Sequence, residues 1–148
     1  AGSGPEQGRL QALAQQLGVA ERVTWTAWLP STAMAGLLAE ADVLVLPSRS
    51  RPNWQEQFGR ALIEAMAVGL PVVGANSGEI PNVIGEAGLV FAEDAVDELV
   101  AALIRLRDDA ALYEALVQAG RARALTNYTQ AQIAHQTVAF YQQVLQGS

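Results

Sequence analysis

Residues 55–75, QEQFGRALIEAMAVGLPVVGA, read as a turn, a helix and a strand in immediate succession. Between Arg60 and Gly69 the residues Ala61, Leu62, Ile63, Ala65, Met66, Ala67 and Val68 leave almost no polar face. A helix apolar nearly all round is expected to be buried. Gly69 supplies a C-terminal stop, and Pro71 blocks continuation of the helix. The run PVVGA over 71–75 then reads as a short buried strand. Against that background Glu64 stands out, because a carboxylate on a buried helix is costly unless something pairs with it.

The start of the same helix carries a second signal. Phe58, Gly59 and Arg60 stand where the first-turn amides fall, and no Ser, Thr, Asp or Asn immediately precedes Phe58 to cap them. Gly59 leaves room for close approach to the backbone. Free amides and the helix dipole make such a start an anion site. The alternative is that Glu56 or Gln55 folds back as a cap and Glu64 meets an Arg. Helix physics alone does not choose between the two.

Upstream, residues 43–46, VLVL, form an apolar run closed by Pro47 and Ser48. Such a run fits a central strand of a parallel sheet covered on both faces. A polar loop over 49–55 holds Arg49 and Arg51, a basic pair open to either phosphate or acceptor contact or simple solvation, and Trp54, either a lid or a loop anchor. Residues 22–28 alternate Val23, Trp25 and Ala27 as a strand does. Pro30 ends that run. Ser31 is placed to cap a helix reaching Ala41, with Met34, Leu37, Leu38 and Ala41 inward. Trp28 reads as partly buried core, with base stacking as the alternative. A first helix carries Leu10, Leu13, Ala14 and Leu17 and ends at Gly18.

Downstream, NSGEIP over 76–81 is a turn, and GLVF over 88–91 is the last strand. Asp94 is expected to cap one helix, Asp108 and Asp109 to open another, and Thr129 to cap a final packing helix over 129–146. In that last helix Ile133, Val138, Tyr141, Val144 and Leu145 form an apolar stripe expected to face inward. His135, the only histidine, carries no partner pattern for catalysis.

Four strands alternating with helices predict an α/β doubly wound parallel sheet flanked by helices. Ligands in such sheets bind beyond the carboxyl ends of the strands. Residues 48–59 and 76–80 are loops at such ends, so Glu56, Glu64 and the open helix start converge on one edge. A 148-residue chain with 51% hydrophobic residues is long enough and apolar enough for a real core. The net charge of −6 argues against non-specific nucleic-acid binding. There is no cysteine, hence no disulfide framework or thiol chemistry, and no His/Cys or carboxylate spacing of a metal site. No apolar run approaches a membrane span.

The ordered set PS…EQFG…EAMAVGLPVV…SGEIP…GLVF, with Glu56 and Glu64 separated by seven residues, resembles the nucleotide-sugar motif of the retaining GT-B glycosyltransferases of family 4, the glycosyl transferases group 1. The resemblance covers roughly the whole chain and is sharpest over 42–91. It implies a Rossmann-like donor-binding domain over 1–148, the C-terminal part of a GT-B architecture, incomplete at its N-terminus. It implies hexosyl transfer from a nucleotide-diphosphate sugar with retention and without a required metal or cofactor.

The same resemblance assigns roles. Glu56 is the catalytic carboxylate that holds the donor sugar hydroxyls. Glu64 accepts the ribose hydroxyls. The amides at Gly59, Arg60 and Ala61 cradle the diphosphate. Phe58, Ser48 and Gly78 lie beside the donor, and the turn at Leu29 lies against the base. Ala27 stands where the family has glycine, and Asn82 where it has glutamate, so the base pocket and the loop near residue 80 depart from the pattern. The partner expected is a nucleotide sugar, with an acceptor-binding N-terminal domain outside this chain and no nucleic acid. A cytoplasmic location follows, with peripheral membrane association a property of a full-length enzyme. The isolated chain is expected to be inactive. A non-catalytic sugar-nucleotide-binding or stand-alone folding domain is the competing reading; a 2-epimerase fits the EAMAVGLPVV context less well.

Overall fold

The computed structural model describes residues 1–146. The chain divides into two compact units, residues 1–37 and the remainder. The first unit holds helix α1 (Gln7–Gln16), a single 3-10 turn (Ala20–Arg22), an extended run over 23–30 and the start of α2 (Ser31–Ala39). Only Ala14 of α1 is buried, while Leu10, Leu13 and Leu17 are exposed. The side chain of Ser31, the expected cap of α2, lies outside the described residues.

The strand expected over 22–28 does not form. Alternation is a local signal, but a strand exists only by pairing. This run receives one such bond, from the Gly2 N–H to the Thr26 carbonyl at 2.8 Å. Trp28, expected to be partly buried, is 74% exposed.

The second unit is built on a three-stranded parallel sheet in the order β1 (Leu44–Leu46), β2 (Val72–Ala75), β3 (Leu89–Phe91). Leu46 pairs with Gly74, and Ala75 with Phe91, so the carboxyl ends of all three strands share one edge. The buried centre is β2, every residue of which is buried. The expected central strand β1 is an edge strand and only half-buried.

Strand β2 alternates between two covers. Val73 and Ala75 join a cluster with Phe91, Leu106 and Leu116, the last two from α5 (Val96–Asp108) and α6 (Ala110–Asn127). Gly74, one position out of phase, lies against Ile80 and Ile84 of α4 (Ile80–Ile84): a Cβ there would stand 2.4 Å from Ile80 Cγ2. Both faces are therefore covered by helices, which makes this an α/β doubly wound arrangement.

Helix α3 (Arg60–Ala67) buries Leu62, Ala65 and Met66 completely. It is amphipathic rather than buried all round, because Ala67 and Val68 face outward. Its end follows the predicted logic. Gly69 takes φ +82°, its N–H donates to the Met66 carbonyl at 3.0 Å, and the Leu70 N–H donates to Ala65 at 2.9 Å. That is the paired 5→2 and 6→1 closure that glycine permits.

One helix start differs from expectation. Asp94 makes no cap to α5; it sits at φ +63° and pairs with Arg49, Nε to Oδ1 2.6 Å. Asp109 does cap α6, accepting from the Leu112 N–H at 2.9 Å, and Thr129 accepts from the Gln132 N–H at 3.3 Å at the start of α7 (Gln130–Gln146). No described residue of α7 is buried, and Val138, Tyr141, Val144 and Leu145 are exposed, so its stripe does not face a core. Among the described residues no helix is long and apolar enough to cross a membrane.

Candidate functional site

The site is assembled by loops leaving the shared carboxyl edge of the sheet. The loop after β1 carries Ser48, Glu56 and Gly59; the loop after β2 carries Ser77, Gly78 and Glu79; the loop after β3 carries Glu93 and Asp94. The first two meet at Glu56. Its carbonyl accepts the Glu79 N–H at 2.9 Å. Its carboxylate accepts the Ser48 hydroxyl through Oε2 at 3.2 Å and the Gly59 N–H through Oε1 at 3.1 Å.

Glycine is required on both sides of this contact. Gly78 has φ +53°, and a Cβ on it would lie 2.0 Å from the Glu56 carbonyl oxygen. Gly59, at φ +67°, would place a Cβ 2.9 Å from Leu62 Cδ1. Thus Ser48, Glu56, Gly59 and Gly78 are brought together by backbone geometry. The sequence could show that these residues lie on neighbouring loops, but not that Gly78 is packed on the Glu56 main chain.

The geometry at the helix start is that of the capping alternative. Glu56 does fold back onto Gly59, and Glu64 does meet an Arg: Arg60 Nε donates to Glu64 Oε1 at 2.9 Å. Glu64 is not buried; its side chain is 32% exposed. An exposed i,i+4 pair is worth only a few tenths of a kcal/mol, about 0.3–0.5, and Arg ahead of Glu is the weaker order. Such a pair holds the Glu64 carboxylate only weakly.

The two carboxylates flank the start of α3 in separate hollows. Glu56 lines a cavity of about 750 Å³ together with Arg51, Trp54, Gly78 and Glu79. Glu64 lines a groove of about 360 Å³ with Phe58, Arg60, Ile63, Tyr128 and Ile133. Phe58 is half-exposed and packs edge-on against Tyr128, with ring centroids 5.8 Å apart. Tyr128 had no signal in the sequence; it enters through the turn between α6 and α7. Ala61 is half-buried in the first turn of α3. Leu29 belongs to the first unit, half-buried on the run before α2.

A further network escaped sequence reasoning. Glu93 accepts the Ser50 N–H at 2.9 Å and the Ser50 hydroxyl, and the Ser50 and Ser77 hydroxyls lie 3.1 Å apart. These bonds to Ser50 hold the Glu93 carboxyl below the usual carboxylate range. Arg49, beside Asp94, is raised above the usual guanidinium value by the hydrogen bond and the charge. Among the described residues no group of His, Cys, Asp or Glu is disposed to hold a metal ion.

Residues 1–123 match the family model described as Glycosyl transferases group 1. The chain is 36% identical over 142 residues to an MMP alpha-(1->4)-mannosyltransferase of Mycolicibacterium hassiacum, covering 93% of this chain and 33% of that protein. It is 37% identical over 131 residues to a GDP-mannose-dependent alpha-(1-6)-phosphatidylinositol monomannoside mannosyltransferase of Mycolicibacterium smegmatis, covering 86% and 34%. The chain therefore spans about a third of the length of these relatives.

Among solved structures, a sucrose-phosphate synthase of Thermosynechococcus elongatus superposes with a TM-score of 0.82 at 29% identity, over 100% of this chain and 38% of that one. Anabaena HepE, in complex with UDP, superposes at 0.81 over 96% and 39%, and at 22% identity the likeness is one of fold. The architecture is that of the C-terminal Rossmann-like half of a GT-B glycosyltransferase. With the family model spanning most of its length, the chain belongs to the glycosyl transferases group 1.

Proposed function

We propose that the chain binds a nucleotide-diphosphate sugar as the donor half of a family 4 hexosyltransferase that retains anomeric configuration. The observation that carries this reading is the pair of carboxylates, Glu56 and Glu64, in separate hollows on either side of the α3 start. A donor laid across that start puts its sugar in the Glu56 cavity, its diphosphate against the first-turn amides and its ribose at Glu64. Two relatives carry mannosyltransferase names, one of them GDP-mannose-dependent. GDP-mannose is accordingly the first donor to try.

In this reading the diphosphate takes the Gly59 N–H from Glu56 and joins it with the amides of Arg60 and Ala61. Oriented amides at a helix start stabilise the charge that develops on the leaving diphosphate. Glu56, released from Gly59 but still anchored by its own main chain, turns toward the sugar hydroxyls and orients the anomeric carbon. Glu64 exchanges Arg60 for the vicinal ribose hydroxyls. Ser48 steadies Glu56, and Phe58 walls the nucleoside groove. No metal is required, since the amides and the dipole supply the positive potential. The acceptor is bound by an N-terminal domain outside this chain, with peripheral membrane association belonging to that longer enzyme in the cytoplasm. The chain alone is then inactive in transfer.

Of the alternatives, a non-catalytic sugar-nucleotide-binding domain or a stand-alone folding domain, the second is favoured by the bonds already made: Glu56 occupies the Gly59 amide, and Glu64 has Arg60. Thermal unfolding in the presence of GDP, UDP and ADP separates it from the donor reading. A ligand at a hundredfold excess over its Kd stabilises by about 2.7 kcal/mol. A rise in Tm with one nucleotide supports the donor reading; an unchanged Tm with all three supports the inert domain.

A further inference from the structure

The loop that carries Glu56 is long, running from Pro47 to Gly59 without a regular element. Its far end is fixed by Glu56 itself. Near its start it is fixed by something the motif does not contain. Glu93, leaving β3, takes both the N–H and the hydroxyl of Ser50, 43 positions earlier in the chain. The Ser50 hydroxyl then meets that of Ser77, which is 1% exposed. Ser77 immediately precedes Gly78, the residue packed on the Glu56 carbonyl, and Glu79, which donates to that carbonyl. A second tie runs parallel, from Arg49 to Asp94.

We propose that Glu93 is a positioning residue for donor binding, holding the β1 and β2 loops together through Ser50 and Ser77 so that Glu56 stands ready at the sugar side of the site. This rests on the donor-binding reading above. The chemistry suits the task. A carboxylate that accepts a backbone N–H and a hydroxyl fixes a loop at two points, with charge-assisted bonds stronger than neutral ones. The buried Ser77 has one hydroxyl to satisfy, and Ser50 supplies its partner. Removing the carboxylate frees Ser50, leaves Ser77 short of a fixed partner and loosens both loops that grip Glu56. Nothing in the network touches the ribose side of the groove. The sugar contribution to binding is therefore what Glu93 controls, not the nucleoside contribution.

The test compares wild type, Glu93→Ala and Glu93→Gln by titration with GDP and GDP-mannose, and with UDP and UDP-glucose. In the wild type the sugar adds affinity over the diphosphate alone. In Glu93→Ala that increment falls by about tenfold while the diphosphate affinity changes by less than about threefold, the scale of one lost hydrogen-bonded tie. Glu93→Gln, which keeps an acceptor for the Ser50 N–H, recovers part of the increment. A purely structural role moves both ligands together and lowers the folded fraction. An unaltered increment in Glu93→Ala overturns the proposal. Amide NMR reads the coupling without ligand: the Gly59 and Gly78 N–H resonances shift in Glu93→Ala, and unshifted resonances overturn the proposal even if no nucleotide binds. Failure of the wild type to bind any nucleotide, with those resonances shifted, refutes the donor reading alone.

Discussion

Replacing Gly78 by Ala tests the contact on which the site is built. Two costs are imposed. Forcing a residue with a Cβ to stay at φ +53° costs about 1–2 kcal/mol. The new Cβ would also stand 2.0 Å from the Glu56 carbonyl oxygen, a backbone atom that cannot swing aside as a side chain does. Relief requires the two loops to part by about 1 Å, which breaks the bond from the Glu79 N–H to the Glu56 carbonyl, worth about 1 kcal/mol, and leaves residual strain of about 1–2 kcal/mol. The expected loss is about 3–5 kcal/mol. Gly69→Ala is the matched control in the same unit. It shares the positive φ, at +82°, but its nearest non-local atom is Val117 Cγ1 at an ordinary 3.6 Å. Its cost is the conformational part alone, about 1–2 kcal/mol. At about 4 °C per kcal/mol for a domain of this size, thermal unfolding followed by circular dichroism should show Gly69→Ala down by about 4–8 °C and Gly78→Ala down by about 12–20 °C. Equal losses in the two variants would refute the packing of Gly78 on Glu56.

Three further outcomes follow from the packing and charge. Leu62→Ala, at a fully buried position of α3, should lose about 3–4 kcal/mol in urea unfolding; a loss under about 1 kcal/mol would contradict the burial of that face. Asp94→Gly removes a positive-φ cost and only an exposed ion pair, so its Tm should hold or rise, whereas Asp94→Ala, which keeps the cost, should fall by about 2–4 °C. The carboxyl of Glu93 is lowered in the fold, so its stabilisation is present above the usual value of about 4.5 and is lost as the pH drops through the lowered value. The stability gap between wild type and Glu93→Gln should accordingly be full at pH 7 and close as the pH drops through the lowered value; a gap independent of pH would contradict the Glu93–Ser50 bonds.

The core of the fold was legible because its signals are local. An apolar run ending in Gly69 and Pro71 specifies a helix stop followed by a strand, and the geometry at Gly69 is the one that only such a residue permits. What periodicity cannot report is which neighbour covers a face. That is why β1, apolar throughout, turns out to be an edge, why Ala67 and Val68 face outward, and why the apolar stripe of α7 stays exposed. The alternation over 22–28 is present, but among the described residues no strand pairs with it.

In the site, Glu56 and Glu64 could be picked out as carboxylates in an apolar setting, yet the sequence could not decide between capping and ligand binding. In the structure Glu56 accepts the Gly59 N–H and also lines the hollow beside Gly78. Gly78 was legible as a loop glycine, not as one pressed against a main chain. The Ser50–Ser77–Glu93 network joins short polar residues from three loops at separations no local pattern encodes. Asp94, expected as a cap by type, is displaced from that role by its positive φ and by Arg49.

In the proposed function the start of α3, with Glu64 beside it, is a nucleotide site. Calorimetric titration of the purified protein with GDP, UDP and ADP, beside Glu64→Ala, addresses it directly. The expected result is saturable binding of one of the three and a weakening of about tenfold or more in Glu64→Ala, the loss of a charge-assisted contact to the ribose. Equal affinity in the two proteins, or no heat with any nucleotide, would contradict it.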